Sequence, residues 1–470
     1  MAPNLSDPDL IQRVDRTAEQ LASYAEAVQF SDLSPGAIHA VKRSVLDSIG
    51  CALGAFNAQP MKALRALASR VSAIAPATLF GTDIRTSPEW AGLVNGAMVR
   101  YLDFSDDYFG GAGDVGPHPS DNIGSIVAAV ESTGSGGKAL VVGIAVAYEI
   151  CAQLLDHFSI YGDGWDYPIL HSISTALAVG NVWGLSGTQM RNALGIAVVA
   201  NVCLAETRLG EISNWKGIAG PNGSRSGLLA ALMAEEGITG PRAAFEGQAG
   251  LVKQLKCSFD LGSLRHDRAA WKIEGTYFKH LPVGYGIQLP VAIALRARKD
   301  IMVECIDSIC VHVDKRAVVD RALHPNLWNP ASRETADHSA PYLIAAALVD
   351  GVIDEQTFAP ERYRDPALLS LVEKITIVED PRYTASFPGT IECRFEITLN
   401  SGAVVTIHDQ NPKGHPANPM SDAELETKFQ AQTDRVLSSR QSRALIDAVW
   451  NLEDLADLGK LFSLMRIARR

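Results

Sequence analysis

Between Thr17 and about Leu255 the chain is a series of apolar and small-residue segments at helical spacing, broken by Gly, Pro and Ser. The segments cover 38–53, 90–102, 121–131, 139–155, 170–183, 189–204 and 224–236. Several carry Ala and Gly on more than one face, so each should be enclosed by neighbouring helices rather than present one face to water. The first half is therefore expected to be all helical. Its longest apolar run, 139–155, contains Tyr148 and Glu149 and is short for a bilayer span, which predicts a buried core helix.

The pattern changes after about Leu264. Alternating or β-rich stretches appear at 271–278, 309–313, 374–378, 391–399 and 403–407, with helical spacing near 291–298 and 341–349. Asn400-Ser401-Gly402 predicts a hairpin turn between the last two strands. Helix then returns: Ser421 and Glu424 make a capping-box pattern before 425–436, and 439–452 follows. The expected fold is mainly α, a large all-helical domain of 1–265 completed by 410–470. Residues 266–409 would form a smaller α+β lid domain.

A chain of 470 residues, 47% hydrophobic and 20% charged, can fill more than one core. Its net charge of -11 argues against nucleic-acid and anionic-membrane partners, while leaving room for a locally basic pocket. The seven cysteines include no C-x-x-C pair, the pattern of free thiols in a reducing compartment rather than of a metal site. Asp7, Asp9 and Asp15 stand where a secretory signal would be basic and apolar, so a cytoplasmic location is expected. No phosphate-binding loop, nucleophile elbow or zinc-protease helix is present, and Gly110–Gly113 does not sit in a dinucleotide fingerprint. Chemistry without a cofactor or metal, done by side chains, is the expectation.

Two histidines stand out. His118 lies between prolines in Gly116-Pro117-His118-Pro119-Ser120-Asp121-Asn122, after the acidic cluster Asp103-Phe104-Ser105-Asp106-Asp107. It is either a tuned acid or base, or part of a polar turn opening a helix. His171 opens the small-residue segment His171-Ser172-Ile173-Ser174, where a helix N-terminus disfavours the imidazolium. It is either a neutral proton acceptor or a structural group bonded to a carbonyl. Arg208 and Lys216, near the Gly220–Arg225 stretch, are either surface cations or a carboxylate or phosphate site. Lys279 sits before Pro282 at the end of an expected strand, a place where side chains often face ligands.

Taken together, Tyr101-Leu102-Asp103-Phe104, His118-Pro119-Ser120-Asp121-Asn122, Asp337-His338-Ser339-Ala340-Pro341-Tyr342 and Gly414-His415-Pro416-Ala417-Asn418-Pro419-Met420 resemble the MmgE/PrpD family over nearly the whole chain. The resemblance is closest to its 2-methylcitrate dehydratase branch; other branches decarboxylate or epimerise related acids. It implies a helical domain with an α+β lid, a cofactor-free site between them and a homodimer. It also implies that Asp103, His118, His171, Lys216, Lys279 and Tyr342 surround a small-molecule carboxylate. His118 and His171 would exchange protons, with Asp103 orienting or charging an imidazole, and Lys216, Lys279 and Arg208 would clamp carboxylates. Tyr342 would donate to the substrate or its leaving group. The chain departs from the dehydratase pattern at Asp107, where the family commonly has Thr, and at Gly284 and Gly286, where Glu and His are typical. Asp107 would repel an anionic substrate unless paired, and the two glycines would enlarge the pocket. The expected activity is loss of water from a hydroxylated di- or tricarboxylate. Decarboxylation or epimerisation of a related acid is the alternative, and a non-catalytic carboxylate binder is the third.

Overall fold

The computed structural model describes residues 15–110, 116–157, 164–257, 261–262, 264, 270–318 and 324–468. Of the sequence features above, Asp7, Asp9, Gly111–Gly113 and the junction at 265/266 fall outside the described residues. The protein is mainly helical with a small mixed sheet.

Most of the helices expected from apolar spacing are present. Pro35–Gly54 starts with proline in its first turn and Ser34 accepting from the Ala37 N–H, which satisfies a donor that the helix itself leaves open. Pro88–Arg100, Ile123–Ser132, Gly137–His157, Pro168–Trp183 and Gly187–Val199 follow. Gly137–His157 is long and apolar enough to cross a membrane, yet 89% of its apolar window is buried inside the protein. Gly187–Val199 ends short of the expected 204, and Asn201 donates its side-chain amide to the Ala197 carbonyl at 2.8 Å.

The next helix begins at Lys216 rather than Ser224 and runs to Glu235, so the Gly220–Gly223 stretch lies inside it. Its glycines serve close packing: a Cβ at Gly223 would overlap the Pro168 carbonyl, and one at Gly227 the Ser172 carbonyl. Backbones of the helices Lys216–Glu235 and Pro168–Trp183 therefore meet directly.

One core gathers apolar residues from Ala18 to Phe278 together with Met420, Leu425, Phe429, Ile446, Val449 and Met465. The capping box at Ser421 and Glu424 starts the helix Asp422–Thr433 that carries part of this return. A second core runs from Val283 to Ile397 and includes Phe109 from the first half of the chain.

The second core packs on a four-stranded sheet. With β1 (Ala77–Thr78) and β2 (Arg85–Thr86) forming a short separate ladder, this sheet comprises β3 (Ile306–Val313), β4 (Ile375–Glu379), β5 (Glu392–Leu399) and β6 (Val404–Gln410) in the order β4-β3-β5-β6. β3 and β4 are parallel with Ile309 opposite Ile375; β5 and β6 are antiparallel with Phe395 opposite Ile407. The hairpin turns at Asn400–Gly402, where Gly402 takes φ 85° as the turn requires.

The stretch 271–278 is not the strand that its alternation predicts. Glu274 accepts from the Trp271 N–H at 2.9 Å and stabilises a 3-10 turn over Lys272–Gly275. Only Tyr277 pairs, with Asp107, through N–H···O bonds of 2.8 and 2.9 Å in both directions.

Candidate active site

The helix Pro88–Arg100 ends in a chain reversal whose pivot is Asp103. Asp103 adopts φ 51°, a left-handed conformation costly for a residue with a Cβ, though Asp tolerates it better than most. Three cations meet this carboxylate. Arg100 Nη1 donates to Oδ1, Lys279 Nζ donates to Oδ1 at 2.9 Å and to the Asp103 carbonyl at 3.1 Å, and Lys216 Nζ lies 3.8 Å from Oδ2. Burial works against ionising Asp103, yet Lys216, Lys279 and Arg100 hold its pKa well below the usual carboxylate range.

The same lysine reaches into the second core. Lys216 Nζ donates to Asp337 Oδ1 at 2.7 Å and lies 3.0 Å from His338 Nδ1. His338 spans the two carboxylates, with Nδ1 2.5 Å from Asp337 Oδ1 and Nε2 3.6 Å from Asp103 Oδ2. Asp337 likewise stays ionised against burial because of Lys216 and His338. Asp103, Asp337 and His338 bring ligand atoms within 4.8 Å of one another, a spacing that could hold a metal ion. Here the ammonium groups of Lys216 and Lys279 already neutralise both carboxylates and compete with any cation for their oxygens. The arrangement is a buried ion-paired network in which both lysines are engaged by carboxylates.

His118 occupies a turn fixed by Asp106. The Asp106 carboxylate accepts from the Ser120 N–H at 3.1 Å and from the Tyr148 hydroxyl at 2.7 Å, and its backbone carbonyl accepts from His118 Nδ1. Because a carbonyl only accepts, Nδ1 carries the hydrogen and Nε2 holds the lone pair. Burial, then Arg100 and Lys279, push the His118 pKa well below its ordinary value, so the ring is neutral near pH 7. Asn122 ties the same turn to the next helix by accepting from the Ser174 hydroxyl at 2.9 Å and from the Thr175 hydroxyl.

His171 is fully buried in the first turn of Pro168–Trp183, with its Nδ1 3.7 Å from Asp121 Oδ2. Burial first, then Arg208 and Arg100, lower its pKa to about 3. Tyr167 stacks edge-on to both imidazoles, at centroid distances of 6.0 Å to His118 and 5.1 Å to His171. Arg208 covers the Tyr167 ring at 4.4 Å and donates Nε to Asp166 at 2.9 Å.

The sequence candidates Asp103, His118, His171, Lys216, Lys279 and Arg208 thus form one connected polar region, joined through Arg100 and Tyr167. Asp107 borders it, accepting from the Tyr108 N–H at 2.9 Å, and burial raises its pKa to about 7. Its feared repulsion of an anion is accordingly weakened by protonation. Gly284 also borders the region: a Cβ there would meet the His338 ring at 3.5 Å, while at Gly286 the nearest atom would be Arg316 Nη2 at 3.8 Å.

Tyr342, expected beside the substrate, stands apart from this region. Its side chain lies fully buried in the second core, and its hydroxyl donates to the Thr357 carbonyl at 2.5 Å. The helix Ala340–Asp350, started by Ser339 accepting from the Tyr342 N–H, turns the ring inward among Leu and Ala side chains. Its hydroxyl is thus satisfied by backbone away from the groups above. Arg100, Asp121, Tyr167, Asp337 and His338 were missed as site residues. Arg100 ends an apolar helix in a buried position beside Asp103, Tyr167 lies four residues before His171, and Asp121, Asp337 and His338 lie in the family-like stretches, but Asp121 meets His171 and Asp337 meets Lys216 only in the folded chain.

These groups form a buried polar and ion-paired network where two hydrophobic cores meet, and both halves of the chain match family models. Residues 19–263 match the MmgE/PrpD N-terminal domain and residues 282–454 the MmgE/PrpD C-terminal domain, so the chain belongs to the MmgE/PrpD family. Among curated relatives it is 26% identical to the cis-aconitate decarboxylase of Homo sapiens, covering 95% of this chain and 94% of that protein. It is 26% identical to the 2-methylcitrate dehydratase of Salmonella typhimurium, over 86% of this chain and 87% of that one. The mitochondrial 2-methylcitrate dehydratase of Yarrowia lipolytica is 26% identical over 85% and 80%.

Proposed function

We propose that this chain is a lyase that removes water from a hydroxylated di- or tricarboxylate by side-chain acid–base chemistry. The observation that carries this reading is a neutral His118, its Nδ1 tied back, beside the paired cations Arg100, Lys216 and Lys279. Removing a proton next to a carboxylate builds enolate charge, and preplaced cations in a buried site stabilise such charge far better than water does. His118 Nε2 takes the proton, and the lysines exchange part of their contact with Asp103 and Asp337 for substrate carboxylates.

Decarboxylation of a related acid is the second reading, since it also passes through a carbanion beside a carboxylate. It is favoured by the longer match to cis-aconitate decarboxylase, 95% of the chain against 86% for the dehydratase. Incubating the protein with 2-methylcitrate, citrate, cis-aconitate, malate-like acids and iminodisuccinate in deuterated water, followed by NMR, separates the outcomes. Loss of water supports the first reading and loss of carbon dioxide the second. Full turnover by both His118→Ala and His171→Ala would remove the acid–base assignment.

We also propose a homodimer. Val199, Val202, Leu204, Leu209 and Trp215 are all exposed along the stretch leading to Lys216, more apolar surface than a lone chain usually shows in one segment.

A further inference from the structure

Asp121 is wholly buried with neither carboxylate oxygen bonded to a donor, and it faces the Nδ1 of His171, whose own two nitrogens are likewise without a hydrogen-bond partner. Space for its carboxyl is specifically made: a Cβ at Gly220, one turn after Lys216, would overlap Oδ2. The Asp121 backbone N–H donates to the His118 carbonyl at 2.9 Å, so one turn places the carboxyl of Asp121 and the ring of His118.

We propose that Asp121 is a positioning residue that stores a proton against His171 Nδ1 and thereby makes His171 the hydrogen donor of the site, opposite in tautomer to His118. This inference rests on the dehydratase reading. At 3.7 Å the two groups stand just beyond hydrogen-bond length, and when they close a carboxylic acid can bond a neutral imidazole only by donating its O–H to the ring lone pair; the ring hydrogen then sits on Nε2. His118, donating Nδ1–H to a carbonyl, is left with its lone pair on Nε2. The two neutral rings thus offer one acceptor and one donor. Burial raises the Asp121 pKa to about 8, against Arg100 and Arg208 and with help from Asp106 and Asp103, so the carboxyl holds its proton at neutral pH. Besides these, His171 and the Tyr167 ring are the titratable groups that face it.

The proton balance closes. The substrate C–H bond breaks and its proton goes to His118 Nε2; the C–O bond breaks as His171 Nε2 gives its hydrogen to the departing hydroxyl, which leaves as water. His171 Nδ1 takes the Asp121 proton at the same time, so the ring stays neutral with its tautomer exchanged and Asp121 becomes a carboxylate. His118 then loses one proton to solvent, while His171 Nε2 takes one up as Nδ1 returns its own to Asp121, which restores both the tautomer and the carboxylic acid.

The test uses the full chain with 15N-labelled histidine and the variant Asp121→Asn, whose amide can donate to Nδ1 but cannot titrate. His171 in the wild type is expected as the Nε2–H tautomer at pH 6.5, switching toward Nδ1–H as pH passes about 8, with no switch in Asp121→Asn. This readout needs no substrate, so it stands apart from the dehydratase reading. With an accepted substrate, the variant should keep exchange of the substrate C–H with deuterium within about threefold while dehydration falls at least tenfold. An Nδ1–H tautomer at pH 6.5, a switch that survives in the variant, or exchange and dehydration falling together would overturn the proposal.

Discussion

At the scale of the residue, the site sorts its carboxylates by what touches them. Asp103 and Asp337 meet lysines and stay ionised, whereas Asp107 and Asp121 do not and are pushed up to about 7 and about 8 by burial. The consequence for stability has a definite sign. Unfolded, Asp107 ionises near 3.8; folded, it keeps its proton until about 7, so raising pH across that window weakens the fold, and the loss is complete above it. Asp107→Asn should therefore melt at a temperature that gains on the wild type as pH rises from 4 to 7, with the gap constant beyond. Calorimetry at a series of pH values checks this, and a gap independent of pH would refute it. His118, His171 and both lysines were legible from residue type and neighbours. Asp337 was not, because its partner Lys216 is brought from across the chain, and Arg100 was not, because nothing at the end of an apolar helix marks its charge as buried even though its partner Asp103 lies in the next turn. Tyr342 misled for the opposite reason: a polar tip in an apolar helix can be satisfied by a carbonyl close by, as Thr357 does here.

At the scale of the element, apolar spacing predicted most helices correctly, and its errors have local causes. Glycine next to proline at 220–223 was taken for a helix boundary, but these glycines are there to let two helices touch. Gly223→Ala should cost about 1–3 kcal/mol, since its methyl meets rigid backbone at Pro168. Gly275→Ala is the control: nothing lies within 4 Å of its added carbon, so its melting temperature should stay near wild type. Equal effects of the two changes in thermal unfolding would disprove the close-contact account. The alternation at 271–278 failed for another reason. A strand needs a neighbour, and the Glu274 cap and the turn it closes leave only Tyr277 in position to pair.

At the scale of the whole molecule, the site exists only because two cores meet. Lys216 comes from one and Asp337 from the other, and Phe109 crosses over to pack against Tyr277, Tyr285 and Phe387 at centroid distances of 4.6, 4.9 and 6.0 Å. The change of segment type near residue 264 does not coincide with the division of the cores, since Trp271, Ile273 and Phe278 from the expected lid pack in the first, and the ion pairs joining the cores depend on the closed fold. The exposed apolar side chains from Val199 to Trp215 lead to an assembly prediction. Light scattering on the purified chain should give the mass of two copies, and Leu204→Glu should shift it toward one. A wild-type chain that is monomeric at micromolar concentration would rule out this interface.

The return of Met420, Leu425, Phe429, Ile446, Val449 and Met465 to the first core fixes the timing of folding as well as its shape. During synthesis the helices of the first half emerge well before residues 420–465, and lack one wall until these arrive. For most of translation the chain must carry uncovered Leu, Ile and Val surface, inviting misassociation or capture by chaperones. A later part thus seals an earlier one, and a ribosome that stops before residue 420 releases a chain whose first core is still open.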